Sequence, residues 1–307
     1  MRAFFFAGCA LLCAGAQLAP DEIIRRSVAA NERDWRAGPN YSNLDRTIEK
    51  KDGEITDRTY QVVMMEGSPY RRLIAEGGQP LPAGRQRQEE QKERRELARR
   101  RSELPEERQS RIRKYQKERD QDHLLMTQMA IAFNFRLVGE ETIGGCPVYV
   151  LDARPKPDYR APTREARVLT GMKGRLWVDA EHFHWARVEA EVMHPVTFGG
   201  FLAKVGPGTR FALEKEPVGA DVWQPKQFSV AVNASILFWS HNSTTVDTFS
   251  DYRTGIAVAK SGAPRAGSFQ LELQGQKIEQ VLQSDDRQKV SVIDHHQAAQ
   301  PGSAHFR

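Results

Sequence analysis

The chain has 307 residues, with 45 Lys and Arg against 40 Asp and Glu, a net charge of +5 and three cysteines. Beyond its first residues no apolar run approaches the roughly 18 needed for a membrane helix, which excludes a protein built on spanning helices. The length suits one domain of the larger β type or two small ones, and the mild positive charge permits attraction to anionic lipid or nucleic acid without choosing between them.

Met1-Arg2 followed by Ala3 to Cys13 gives a positive start and a short apolar run, and Ala14-Gly15-Ala16 closes it with the small-x-small pattern cut by signal peptidase. Residues 1–16 are therefore read as a secretory signal peptide. A lipid anchor at Cys9, after Phe6-Ala7-Gly8, is the alternative. Cys9 and Cys13 leave with that segment, so Cys146 alone remains and an internal disulfide is excluded. Stability in an oxidising compartment must then come from a core.

Pro20 to Trp35 places Ile23, Ile24, Ala30 and Trp35 among charged residues, with Asp21 and Glu22 in the first turn, and predicts a helix ending before Gly38-Pro39. Tyr41 to Lys50, Ile55 to Met65 and Tyr70 to Ala75 read as strands joined by hairpin turns at Lys51-Asp52-Gly53-Glu54 and Glu66-Gly67-Ser68-Pro69. Arg85 to Asp122 is then almost entirely charged, with Pro105 marking a second helix start, and reads as two charged helices projecting from or lying over the domain. The stretch interleaves both signs. An arm that grips phosphates carries one sign, so a solvated helical face is favoured over a nucleic-acid arm.

A short helical segment near Leu124 to Ala130 precedes a long run of strands. Phe133, Phe135 and Leu137 alternate with polar residues; Val148 and Val150 follow a turn at Gly144-Gly145; Lys173 to Val178 comes next. Ala186, Val188, Ala190 and Val192 alternate with Trp185, Arg187, Glu189 and Glu191, the period-two pattern of a sheet with one dry and one wet face. Phe211 and Leu213, then Phe228, Val230, Val232, Ala234, Ile236 and Phe238, continue it, and Thr245 to Tyr252 closes the series. About ten strands with short turns argue for an antiparallel meander, and a sheet this wide must curl. The fold expected is mainly β with added helices: a strongly curved antiparallel sheet forming a half-open barrel over residues 17–262. The charged helices at 85–122 are an insertion. Residues 263–307 form a C-terminal extension in which Phe269, Leu271 and Leu273 supply one last strand before a frayed end.

Catalytic constellations are weak. Glu140-Glu141 points to opposite faces of a strand and cannot share a substrate. His182-Phe183-His184 places two imidazoles two residues apart, on one face if the segment is a strand, yet no third ligand is near; an ordinary turn entering a strand is the competing reading. Cys146, in Gly144-Gly145-Cys146-Pro147, reads as a turn residue rather than a nucleophile. No phosphate-binding Gly-rich loop or Gly-x-Ser-x-Gly elbow occurs. No catalytic residue, metal site or cofactor is assigned.

The stretch Gly139-Glu140-Glu141-Thr142-Ile143-Gly144-Gly145-Cys146-Pro147-Val148-Tyr149-Val150-Leu151-Asp152-Ala153, then Gly174-Arg175-Leu176-Trp177-Val178-Asp179, and the strand from Trp185 to Val192 resemble the outer-membrane lipoprotein-sorting (LolA/LolB-like) superfamily. Pro207-Gly208-Thr209-Arg210-Phe211 and Val222-Trp223-Gln224-Pro225 are similar to its later strands, and Gly67-Ser68-Pro69-Tyr70-Arg71-Arg72-Leu73-Ile74-Ala75 to a long bacterial branch of it. The resemblance implies an unclosed β-barrel in the periplasm, with helices as a lid over an apolar cavity. It implies carriers that hold lipoprotein acyl chains during transfer to the outer membrane, or sensors of mislocalised lipoproteins. The ligand expected is a lipid or lipid-modified protein, bound by a monomer and lined by Phe133, Phe135, Leu137, Leu176, Val178, Val188, Phe211, Leu213, Phe228, Val230, Val232 and Ile236. The competing reading is an envelope-sensing or interaction module whose charged helices dock a membrane protein or the membrane surface, without nucleic acid and without ligand transfer.

Overall fold

The computed structural model describes residues 18–163, 165–198, 203–236 and 239–254. The expected signal peptide, with Cys9 and Cys13, and the expected C-terminal extension lie outside these residues.

Helix α1 spans Pro20–Ala37, with proline at its first turn and Asp21 and Glu22 against the positive end of its dipole. Strands β1 (Tyr41–Lys51), β2 (Glu54–Met65) and β3 (Ser68–Glu76) follow as hairpins, and β4 (Gln79–Pro80) is a two-residue addition to them. The turn residues explain the hairpins. Asp52-Gly53, Glu66-Gly67 and, further on, Gly144-Gly145 all have positive φ at both central positions, the geometry whose twist matches paired strands.

Helix α2 is Ala83–Arg101 and α3 is Pro105–Ala132. Leu124 to Ala130, expected as a short helix apart from the charged ones, is the last third of α3, because no glycine or proline interrupts the chain after Pro105. Then come β5 (Phe133–Ile143), β6 (Cys146–Pro155), a 3-10 segment Glu165–Gly171, β7 (Met172–Asp179), β8 (Trp185–Val192), a short hairpin β9 (Val196–Phe198) and β10 (Ala203–Val205), β11 (Arg210–Gly219), β12 (Val222–Ile236) and β13 (Trp239–Thr254).

All pairings are antiparallel, but the order is not a simple meander: β4-β3-β2-β1-β13-β12-β11-β8-β7-β6-β5, with β10 attached to β12 and β9 to β10. The chain runs out to one edge through β4, crosses by α2 and α3 to the opposite edge at β5, and returns strand by strand until β13 pairs with β1. Strands β4 and β5 do not pair with each other, so the sheet stays unclosed. The helices that carry the chain from edge to edge become the cover of the sheet.

Side chains sort onto two faces. On the helix-covered face, register places Leu137, Leu151, Leu176, Val188, Leu213 and Phe228 in one cross-strand row over β5, β6, β7, β8, β11 and β12. Ile23 and Ile24 of α1 and Met126 of α3 pack over its β6 and β7 end, against Leu151, Leu176, Val178 and Trp185. Continuing the row beyond Phe228 gives Asp247 and Thr47, whose side chains are joined by a 2.7 Å hydrogen bond. The apolar character therefore stops at β12.

The alternation in β8 needs a correction. A bulge pairs Trp177 with Arg187 but Val178 with Trp185, leaving Ala186 extra. Trp185, expected on the wet face, is turned inward, where its indole N–H donates to Ser27 Oγ of α1. Ala186 joins Val148, Val150, Trp177 and Trp223 in a second cluster instead. In the middle of β7, Gly174 has a steric reason: a Cβ there would lie 2.7 Å from the Glu189 carbonyl of β8, forcing the strands apart.

Candidate ligand site between the helices and the sheet

The residues expected to line a cavity are distributed over packed core and open space. Leu176, Val178 and Phe228 are buried among core side chains, while Leu137, Val188 and Val232 pack half-buried against them. Phe133 and Phe135 line a cleft of about 470 Å³ with Ile24, Val28 and Ala130, and Asp21, Arg25, Asn134 and Lys156 complete it. This cleft lies between α1, the end of α3 and the edge strand β5. Phe211 and Val230 border a concavity of about 760 Å³ along β6, β7, β8, β11 and β12, which charged residues such as Arg175, Glu189 and Arg210 also line. Leu213 lines a third space of about 50 Å³ between α1, α3 and strands β11 and β12. Ile236 ends β12, and its side chain lies outside the described residues.

The wall of the third space is the polar centre of the fold. Along α1, residues 23, 27, 30 or 31 and 34 recur at helical spacing on the core side, so Asp34 occupies a position where an apolar residue is expected. Its Oδ1 accepts the Trp223 backbone N–H at 2.8 Å. Its Oδ2 accepts from Lys215 Nζ and lies 3.0 Å from His184 Nδ1, and its main-chain carbonyl accepts from Gln224 Nε2 at 3.1 Å. The other ring nitrogen of His184 is 3.0 Å from Asp221 Oδ1, so the ring bridges two carboxylates. Lys215 also donates to Asn31 Oδ1 at 3.0 Å, and the His184 ring is stacked on Trp223. Burial pushes the Asp34 carboxyl up, but the Lys215 charge, the His184 hydrogen bond and the His184 charge outweigh it, leaving the group below the usual carboxylate range. The hydrogen bond from His184, with Arg33 beside it, likewise holds Asp221 low against a smaller desolvation effect. The network ties α1 to the start of β8 and to the β11–β12 hairpin.

A second set of contacts joins α1 to α3. Trp35 stacks on His123 with ring centroids 4.2 Å apart, His123 Nε2 lies 2.6 Å from Glu32 Oε2, and the Arg119 guanidinium sits 4.2 Å from the Trp35 ring centre. Burial lowers the pKa of His123, against the pull of Glu32.

The histidine pair considered from sequence does not form a ligand set. Residues 180–182 are a turn, Phe183 has φ +65°, and the two rings, with centroids 6.4 Å apart, sit in different surroundings: His184 is fully buried, whereas His182 is about half exposed. Among the described residues no group of three His, Cys, Asp or Glu side chains is placed to hold a metal. Glu141 accepts from the Trp177 indole N–H at 2.9 Å, and Cys146 begins β6 as a partly buried thiol.

The charged insertion is docked rather than projecting. Arg100, 7% exposed, donates to the carbonyls of Met65, Ser68 and Pro69, and Arg111 donates to Ser68 Oγ and the Glu66 carbonyl. Two arginines from two helices thus clasp the β2–β3 turn. Sequence offers no cue that separates these from their exposed neighbours.

No protein-family model matches the chain, and no curated protein does. Solved structures similar to it include a DUF1329 family protein from Desulfovibrio piger (12% identity, 78% of this chain and 94% of that one, TM-score 0.32). A LolA superfamily protein from Nitrosomonas europaea is 11% identical over 81% of this chain and 96% of its own, with TM-score 0.32. A provisionally named outer membrane lipoprotein-sorting protein domain from Vibrio parahaemolyticus is 12% identical over 77% and 94%, with TM-score 0.33.

Proposed function

We propose that the protein is a monomeric periplasmic carrier or receptor that binds the hydrocarbon part of a lipid or lipid-modified protein, and that it acts by binding rather than catalysis. The observation that supports this most directly is the cleft between α1 and β5, where Ile24, Val28, Phe133 and Phe135 face a space of about 470 Å³ at a long edge strand of the sheet. Lys156 lines it too, suiting an acidic or phosphate-bearing head group, while Arg25 there is paired with Glu22. Burying ten methylenes would yield about 8 kcal/mol, enough for tight binding with few polar contacts. The apolar row beneath α1 offers a path inward if the helix shifts.

The test is native mass spectrometry of protein purified without detergent from its host, together with titration of a fluorescent fatty-acyl probe. A lipid adduct and saturable uptake, weakened by Val28→Arg, are expected. A bare protein mass with no uptake overturns the reading. N-terminal sequencing of the exported form beginning at Gln17 would support the periplasmic assignment.

A further inference from the structure

The helix α2 sorts its charges by sign around its circumference. At about 100° per residue, Arg87, Arg94 and Arg101 fall on one line along the helix, flanked by Arg95, Arg99 and Lys92, and no Asp or Glu falls on the roughly 180° arc they define. All six are exposed. The acidic residues of the helix occupy the remaining arc: Glu90 and Glu93 face Arg72 of β3 at 3.9 and 3.4 Å, and Glu96 receives the buried Arg100. The mixed-sign sequence of α2 thus leaves one arc of the helix with basic residues and no acidic ones.

Within that arc, Lys92, Arg99 and Arg101 each lie beside a carboxylate, respectively Glu89, Glu96 and Glu66. Arg87, Arg94 and Arg95 have no carboxylate partner among the described residues. The basic line from Arg87 to Arg101 is about 21 Å long. It runs into the α2–α3 turn, where Leu104 is 65% exposed.

We propose that this face of α2 docks the protein on an anionic membrane surface, with Arg87, Arg94 and Arg95 meeting lipid phosphates and Leu104 entering the interface. A straight, one-sided basic line ending in an exposed aliphatic side chain fits a flat, phosphate-bearing surface with an apolar layer beneath it. A nucleic-acid duplex would have no use for Leu104. The inference does not depend on the acyl-binding reading, since no residue of α2 lines the cleft.

The test is co-sedimentation of the full chain with vesicles of phosphatidylcholine alone or with about 30% phosphatidylglycerol, at low and high salt. Binding to the anionic vesicles only, weakened by salt, is expected. With roughly 1 kcal/mol per basic residue near such a surface, the triple variant Arg87→Glu, Arg94→Glu, Arg95→Glu should lose at least ~100-fold in affinity, while the triple Arg→Lys variant retains it and Leu104→Ser loses a smaller factor. Circular dichroism checks that each variant is folded; if the reversal triple is not, the Arg→Gln triple replaces it. Equal binding to neutral vesicles, an unaffected neutralised or reversed variant, or binding to a DNA duplex in place of vesicles would overturn the proposal.

Discussion

Asp34 and His184 are 150 residues apart in sequence, and their side chains meet at 3.0 Å, both shielded from water. Removing the carboxylate would strand Lys215, whose side chain is 6% exposed, beside a buried imidazole. Breaking one partner of a buried ionic network costs ~3–5 kcal/mol, so Asp34→Ala should lower the urea midpoint by that equivalent. A change under about 1 kcal/mol would show that α1 is held by its apolar face alone.

The same carboxyl has its pKa depressed by folding, so its contribution is complete above the unfolded value near ~3.9 and is lost as pH falls through the lower folded value. The stability difference between wild type and Asp34→Asn should therefore shrink on acidification below about pH 4. Glu96 follows the same sign. The hydrogen bond from Arg99 opposes desolvation and, joined by the Arg100 hydrogen bond and both charges, brings its pKa from 4.5 to about 2. Glu96→Gln should be less stable than wild type at neutral pH and converge on it between about pH 4.5 and 2. Parallel acid-unfolding curves for the two proteins would refute this.

Leu151 and Phe135 separate packing from binding. Leu151 is fully buried under α1, so Leu151→Ala should cost about 2–5 kcal/mol in equilibrium unfolding. Phe135 is half-buried at the cleft, so Phe135→Ala should cost less stability while weakening acyl-probe uptake more strongly. The ligand reading loses its site if Phe135→Ala binds the probe as wild type does.

Gly67 closes the β2–β3 turn with φ +87°, and a Cβ there would meet Ile112 Cδ1 of α3 at 2.9 Å. Gly67→Ala combines left-handed backbone strain with a displaced isoleucine, and should cost at least ~1 kcal/mol. Thermal unfolding measures it; Ile112→Ala in the same background should return part of the loss.

Much of the local structure is legible in the residues. Asp52-Gly53, Glu66-Gly67 and Gly144-Gly145 announce their turns because few other residues tolerate two successive positive φ angles. Strand spans such as Tyr41 to Lys50 emerge from alternation to within a residue or two, and Pro105 starts α3 where proline is tolerated. The bulge at Ala186 is different. Alternation assigned Trp185 to solvent, and only pairing with β7 shows the extra residue that turns it inward. The sign sorting of α2 was also present in the residues, but a linear reading sees interleaved charges where the helix presents two faces.

What the amino-acid sequence alone determined is the type and approximate span of α1 and of most long strands, and the mainly β, curved character of the sheet, because backbone preferences and hydrophobic period act over a few residues. The tertiary structure alone decided that β13 lies between β1 and β12, that α2 and α3 bridge the two edges, and that Asp34, His184, Lys215 and Asp221 meet. Those outcomes rest on burial and pairing between segments distant in the chain, where the gain from excluding water and matching charge depends on what each segment finds opposite it, which no short window contains.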